Sequence, residues 1–157
     1  MKISSKARYA IQTMLQLALR EGGRPVTLAE LTEQQGISSS YLEQLLASLR
    51  DQNLVVGVRG PGGGYKLAQP MAAITIDMIL VAVHESHLKR PPASGYDVSI
   101  YNEMWWDLSE QILAFLGNIS MQNLLDNPNI QSQLHQQRLI QNNSVASYNT
   151  SSNLKTA

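Results

Sequence analysis

Two short stretches carry side chains whose types and spacing suit recognition chemistry. Ser38-Ser39-Ser40-Tyr41-Leu42-Glu43-Gln44 lines up hydroxyls, a carboxylate and an amide, and further on Arg59-Gly60-Pro61-Gly62-Gly63-Gly64-Tyr65-Lys66 sets a glycine-rich run between two cations. Glutamine pairs with adenine edges, glutamate accepts from the cytosine amino group, and serine serves either. A bare glycine tip beside a guanidinium suits a narrow minor groove with its enhanced negative potential. The competing chemistry, a nucleotide-phosphate cradle, fails on spacing. Gly64 is followed by Tyr65-Lys66, so no G-x-x-x-x-G-K-[ST] exists, and no G-x-G-x-x-G opens a helix. No Ser/His/Asp arrangement falls on neighbouring elements, so an enzyme is not expected.

The elements that must position these residues follow from local signals. Ala7, Ala10, Ile11, Met14, Leu15 and Ala18 recur at helical spacing, which predicts a first helix over 5–20, stopped by Glu21-Gly22-Gly23-Arg24-Pro25. Thr27-Leu28-Ala29-Glu30 matches a capping box, in which a hydroxyl and a carboxylate satisfy orphan amides reciprocally. It predicts a helix from Leu28 to about Gln35, ended by Gly36. Ser38, Ser39 and Ser40 offer N-caps for a third helix to about Asp51. Helix, glycine turn and helix make a helix-turn-helix over about 28–51. On the third helix Leu42, Leu45, Leu46 and Leu49 form a core face, opposite Ser40, Gln44, Ala47 and Asp51, with Glu43 at the edge and Tyr41 on a flank. That outer face either reads a groove or is simply solvated.

Two β-prone runs, 54–58 and 64–68, flank the glycine tip and predict a hairpin, the wing of a winged helix, over about 54–68. Beyond a link lies a helix from Ile74 to about Glu85, then a Pro- and Gly-containing loop over 86–101. In a long helix from about Asn102, Trp105, Leu108, Ile112, Phe115 and Ile119 follow 3,4,3,4 spacing, a stripe suited to a partner helix. Burial within its own domain is the alternative; a two-fold dimer matches a palindromic operator. A short helix over 120–127 precedes a Gln-, Asn- and Ser-dominated stretch from 129 that is expected to be a disordered tail.

Of the 157 residues, 43% are hydrophobic, enough for one globular domain with an appendage. The formal net charge of +0 divides unevenly, +3 over residues 1–70 and −3 over 71–157, which fits either a polyanion-binding module in the front half or ordinary scatter of surface charge. No apolar run reaches the roughly 18 residues of a membrane span, and the start MKISSKARYA lacks a signal-like apolar region, so a cytoplasmic protein without a membrane partner is expected. Cysteine is absent, which removes disulfides, thiolate metal sites and cysteine nucleophiles together.

The stretches SKARYA (5–10), QGISSSYLEQLLASLR (35–50) and VRGPGGGYKL (58–67) closely resemble the IscR-type winged-helix transcription regulators, a family that includes NsrR and CymR. The resemblance covers roughly residues 1–126. It implies a mainly α fold with a small β-hairpin: a winged helix-turn-helix domain (1–70), a linking helix and sensor-type loop (71–101), and dimerisation helices (102–128), with the tail over 129–157. It implies a homodimeric regulator on double-stranded promoter DNA, most simply a repressor, with the third helix in the major groove and the wing in the minor groove. Base contacts would fall on Ser40, Tyr41, Glu43, Gln44 and Arg59, and phosphate contacts on Ser38 and Ser39. Lys66, the tip residue Gly62, and Lys6 and Arg8 in the matched N-terminal stretch complete the DNA-binding set. Members with an iron–sulfur cluster carry Cys-x5-Cys-x5-Cys-x2-His before the dimer helix; here that spacing lands on His87, Ala93, Ser99 and Asn102. None is a thiolate, so no cluster and no other cofactor is expected. His84 and His87, three apart, raise a metal or haem alternative against plain polar histidines. Alternatively, regulation runs through a metabolic-enzyme partner or a small molecule at the 84–102 loop, and Trp105 and Trp106 either serve such a role or are core.

Overall fold

The computed structural model describes residues 4–83, 100–134 and 136. The chain forms two compact units, Met1–Gln122 and Asn123–Ala157. Helix α1 (Ser5–Ala18) starts where the Ser4 side chain accepts from the Ala7 amide. Its buried face is Ala7, Ala10, Thr13, Met14, Leu17 and Ala18, while Ile11 and Leu15 stay half-buried.

Helix α2 (Leu28–Gln35) begins with the complete capping box: Thr27 Oγ1 accepts from the Glu30 amide and Glu30 accepts from the Thr27 amide. Gly36 ends it in the left-handed conformation, φ +64°, which costs glycine nothing. After Ile37, Ser38 caps α3 (Ser39–Asp51), its hydroxyl oxygen accepting from the Tyr41 amide at 3.3 Å. Leu42, Leu45, Leu46 and Leu49 are all buried. With Met14, Leu17, Leu31 and Leu54 they make the core. That core fixes α3 with its other side outward.

Asn53 turns the chain with φ +54° into β1 (Val55–Val58), which pairs antiparallel with β2 (Gly64–Leu67). The register sets Val55 opposite Leu67, Val56 opposite Lys66, Gly57 opposite Tyr65 and Val58 opposite Gly64. The hairpin is docked to the body through a further pairing: the Val26 amide donates to the Tyr65 carbonyl at 3.0 Å and the Tyr65 amide donates to the Val26 carbonyl at 2.8 Å.

Helix α4 (Ile76–Ala82) is followed, beyond the undescribed residues, by α5 (Ile100–Gly117) and α6 (Met121–Leu125). Backbone hydrogen bonds tie the ends of α4 and α5 together: the Ile76 amide donates to the Ile119 carbonyl at 3.0 Å, and the Met121 amide to the Ile74 carbonyl at 2.8 Å. The fold is thus mainly helical with one two-stranded hairpin.

One expectation is corrected. Residues 129–134, expected to begin a disordered tail, continue a helix that starts at Pro128. Asn127 supplies the cap, its Oδ1 accepting from the Asn129 amide at 3.0 Å, and Pro128 occupies the first turn, where its missing N–H is harmless. The Gln131 amide donates to the Asn127 carbonyl at 3.0 Å. His135 and the residues beyond 136 lie outside the described residues.

Candidate nucleic-acid interface

The outward side of α3 begins at the helix-turn-helix turn. Ser39, Ser40, Glu43 and Gln44 are exposed, and the small Ala47 is half-buried between them and the core. A helix N-terminus with its free amides favours anions, and α3 has no acidic residue in its first turn to oppose one. Ser38 is exposed as well, but its oxygen is already engaged as the cap. Tyr41 is half-buried because its ring meets Tyr9 of α1 edge-to-face, centroids 6.0 Å apart at 81°. Arg8 is exposed and its guanidinium lies 5.2 Å from the Tyr9 ring centroid; Lys6, two residues earlier, is half-buried.

The wing tip is Gly60-Pro61-Gly62-Gly63, closed by a hydrogen bond from the Gly63 amide to the Gly60 carbonyl at 2.9 Å. Proline at the second position and φ +75° at Gly62 are the marks of a type II turn. Arg59 leads into it, exposed. The glycines are expected to give the backbone access to DNA, but two answer to the protein itself. A Cβ on Gly63 would lie 2.3 Å from the Val58 carbonyl oxygen, and one on Gly64 would lie 2.4 Å from that of Val26.

The two wing cations separate. Arg59 lines an open groove with Arg50 from the last turn of α3, between the exposed Val56 and Val58 and Leu28. Lys66 sits mid-strand opposite Val56 and lines a cleft of about 220 Å³ with Arg20 and Arg24. Arg50 and Tyr9 were missed from sequence. Arg50 was hidden because a last-turn arginine satisfies helix carbonyls equally well, and Tyr9 because its partner lies on another helix.

Glu30 gathers the α1–α2 link. Its carboxylate accepts from the Arg24 guanidinium through both oxygens and from the Thr27 hydroxyl at 2.9 Å, with Arg20 at 3.7 Å. The Arg24 hydrogen bonds, then those from the Thr27 backbone and side chain, lower its pKa from 4.5 to about 2. A group depressed on folding stabilises fully above its unfolded pKa and loses that contribution as pH falls toward its folded one. Glu30→Gln is therefore expected to melt below wild type at pH 7. The gap should narrow between pH 4.5 and 2, as followed by circular dichroism melts across that range; a gap independent of pH would contradict the pairing.

An outward helix of small and polar residues beside a basic-tipped hairpin defines the winged helix-turn-helix class. Residues 3–127 match the Rrf2 family, described as an iron-dependent transcriptional regulator. The HTH-type transcriptional regulator IscR of Yersinia enterocolitica is 44% identical over 135 residues, which cover 83% of this chain and 82% of that protein. Among solved structures, T. potens IscR matches with TM-score 0.68 at 35% identity, covering 81% of this chain and 88% of its own. CymR (YrzC), the global cysteine regulator of B. subtilis, matches with TM-score 0.65 at 30% identity, covering 79% and 95%. The chain belongs to the Rrf2 family of transcriptional regulators. It is a DNA-binding transcription regulator and not an enzyme.

The family description names iron, and the donor set here does not fit a thiolate-held cluster. The chain contains no cysteine, whereas iron–sulfur clusters ordinarily need thiolates. Among the described residues no group of three or more His, Cys, Asp or Glu side chains is placed to hold a metal. Asn102 falls in the first turn of α5; His84, His87, Ala93 and Ser99 lie outside the described residues. Among the described residues no helix is long and apolar enough to cross a membrane.

Proposed function

We propose that the protein is a homodimeric, cytoplasmic repressor that binds pseudo-palindromic promoter DNA without an iron–sulfur cluster. In this reading α3 enters the major groove, with Ser40, Tyr41, Glu43 and Gln44 at base edges. Ser38, Ser39, Lys6 and Arg8 meet phosphates, Lys66 adds charge, and the wing lays Gly62 and Arg59 against the minor groove. A dimer seated across a promoter blocks polymerase access, hence repression. The observation that carries the reading is the division of α3: four buried leucines behind, and exposed Ser39, Ser40, Glu43 and Gln44 in front. The same helix ends at Arg50, which shares an open groove with the exposed Arg59, so the polar face and the wing cation belong to one set of side chains in this reading. Dimerisation through Trp105, Leu108, Ile112, Phe115 and Ile119 is supported by the exposure of Trp105, Leu108 and Phe115 on α5. The domain roles follow the same division, with DNA reading in 1–70, linkage over 71–101 and pairing from 102.

The test uses a duplex enriched from a random pool by the wild-type protein. Arg59→Ala is expected to weaken binding to it by about 1–3 kcal/mol, with affinity for both proteins falling steeply as salt rises. Equal affinity of variant and wild type at every salt concentration would sink the assignment of Arg59.

A further inference from the structure

We infer that α1 clamps the helix-turn-helix from both sides of its turn, making Tyr9 and Gln35 positioning residues for sequence discrimination. The inference rests on α3 being the base-reading helix and identifies what holds it in pose. The turn between α2 and α3 is short, and of its residues only Ile37 is even half-buried. The leucine core behind α3 fixes its distance from the body and which side faces outward, but apolar burial is non-directional and leaves the last small slides and rotations to other contacts. Directional contacts must set the rest, and α1 supplies them at each flank.

On the α2 side, Gln35 Nε2 donates to Thr13 Oγ1 at 2.9 Å and to Gln16 Oε1 at 3.1 Å. Thr13 is 0% exposed, and its own proton goes to the Tyr9 carbonyl at 2.8 Å. Its hydroxyl is therefore oriented to accept from Gln35. On the α3 side the same Tyr9 puts its ring edge-to-face on Tyr41, a geometry with a preferred angle as well as a distance. Arg8 lies against the Tyr9 ring. A continuous path thus runs from Gln35 through Thr13 and Tyr9 to Tyr41, spanning Gly36–Ser38 without using the turn's own backbone. Tyr41 adjoins Ser40 and precedes Glu43, so its rotation and that of the neighbouring base-edge groups are one variable.

Gln35 is poorly chosen for stability alone. Its Oε1 is buried and receives no donor from the described residues, and methionine would fill the same space without a polar atom to satisfy. Direction is what glutamine adds.

The experiment compares wild type, Tyr9→Phe, Tyr9→Leu and Gln35→Met on two probes at one salt concentration: the duplex enriched by wild type and the same duplex scrambled. Tyr9→Phe keeps the ring and should match wild type within about twofold. Tyr9→Leu and Gln35→Met should lower the enriched-to-scrambled affinity ratio by about tenfold or more, on the scale of one misplaced base contact. Scrambled-duplex binding should stay unchanged, and the melting temperature of Gln35→Met should stay near that of wild type. A purely structural role would move both affinities together and leave the ratio alone. Wild-type ratios in Tyr9→Leu and Gln35→Met overturn the clamp while leaving DNA reading intact. Failure of the wild-type protein to enrich any sequence overturns both.

Discussion

Gly64→Ala is expected to unseat the wing. A Cβ there would stand 2.4 Å from the Val26 carbonyl oxygen and 2.7 Å from its carbon. Backbone cannot yield as a flexible side chain does, so β2 must move off Val26. That motion breaks the two hydrogen bonds joining Val26 and Tyr65, in a place where Val26 is buried. The amide and carbonyl of buried Val26, left unpaired, cost about 1–3 kcal/mol each, which puts the loss at about 2–6 kcal/mol in denaturant unfolding. Gly60→Ala is the control: φ is +101° but nothing lies within 4 Å of its Cβ, so its cost is backbone strain of about 1–2 kcal/mol. With the wing displaced, Arg59 no longer meets its target, and adding Arg59→Ala to Gly64→Ala should weaken binding little further. A wild-type unfolding midpoint for Gly64→Ala would refute the close approach.

The second large effect is expected on α5. Trp105 and Phe115 are 60% and 67% exposed, and Leu108 lies between them on the same stripe. Ile112 and Ile119, on that stripe, are half-buried, and Ser109 is the buried residue of the helix. Covering three such side chains with a second copy gains about 1.5–3 kcal/mol each before the cost of association. Leu108→Glu with Phe115→Glu sets four carboxylates against one another in a two-fold interface, where unpaired buried charge is strongly unfavourable. The pair should weaken dimerisation by about 100-fold or more in sedimentation equilibrium. Operator affinity should fall with it, while the melting temperature stays near that of wild type because both positions are exposed. A variant that still sediments as a dimer would remove α5 as the interface.

The elements most readable from sequence are those specified by neighbours along the chain. Thr27, Glu30 and Gly36 bound α2 by chemistry that acts within a few residues, and the leucines of α3 declare its buried side by period alone. The hairpin follows from β-prone runs around a proline–glycine turn. Composition misleads where it outvotes a local signal, as at 129–134, where Asn127-Pro128 announces a helix start in a polar stretch. What lay out of reach were contacts across elements. Gln35 reaching Thr13, Tyr9 meeting Tyr41, and Gly64 lying against Val26 join residues with no period or motif in common. The candidate base-reading set was visible as residue types; the frame that orients it was not.

The knitting of α4 to the end of α5 has a mechanical consequence. Ile76 and Ile119, and Met121 and Ile74, hold the C-terminal end of α5 by backbone bonds, and Gly117 allows the Asp77 side chain to approach to within 3.4 Å of where a Cβ would be. The opposite end, at Ile100 and Tyr101, is the most exposed part of the helix. An 18-residue helix is a stiff lever about 27 Å long, and its C-terminal end is the one these bonds hold. A pivot of about 10° at that end carries the far end through about 5 Å, more than the rise of one base pair, about 3.4 Å. In the proposed two-fold assembly joined through α5, the spacing of the two DNA-reading heads would therefore be geared to a very small angle at Asp77 and Gly117.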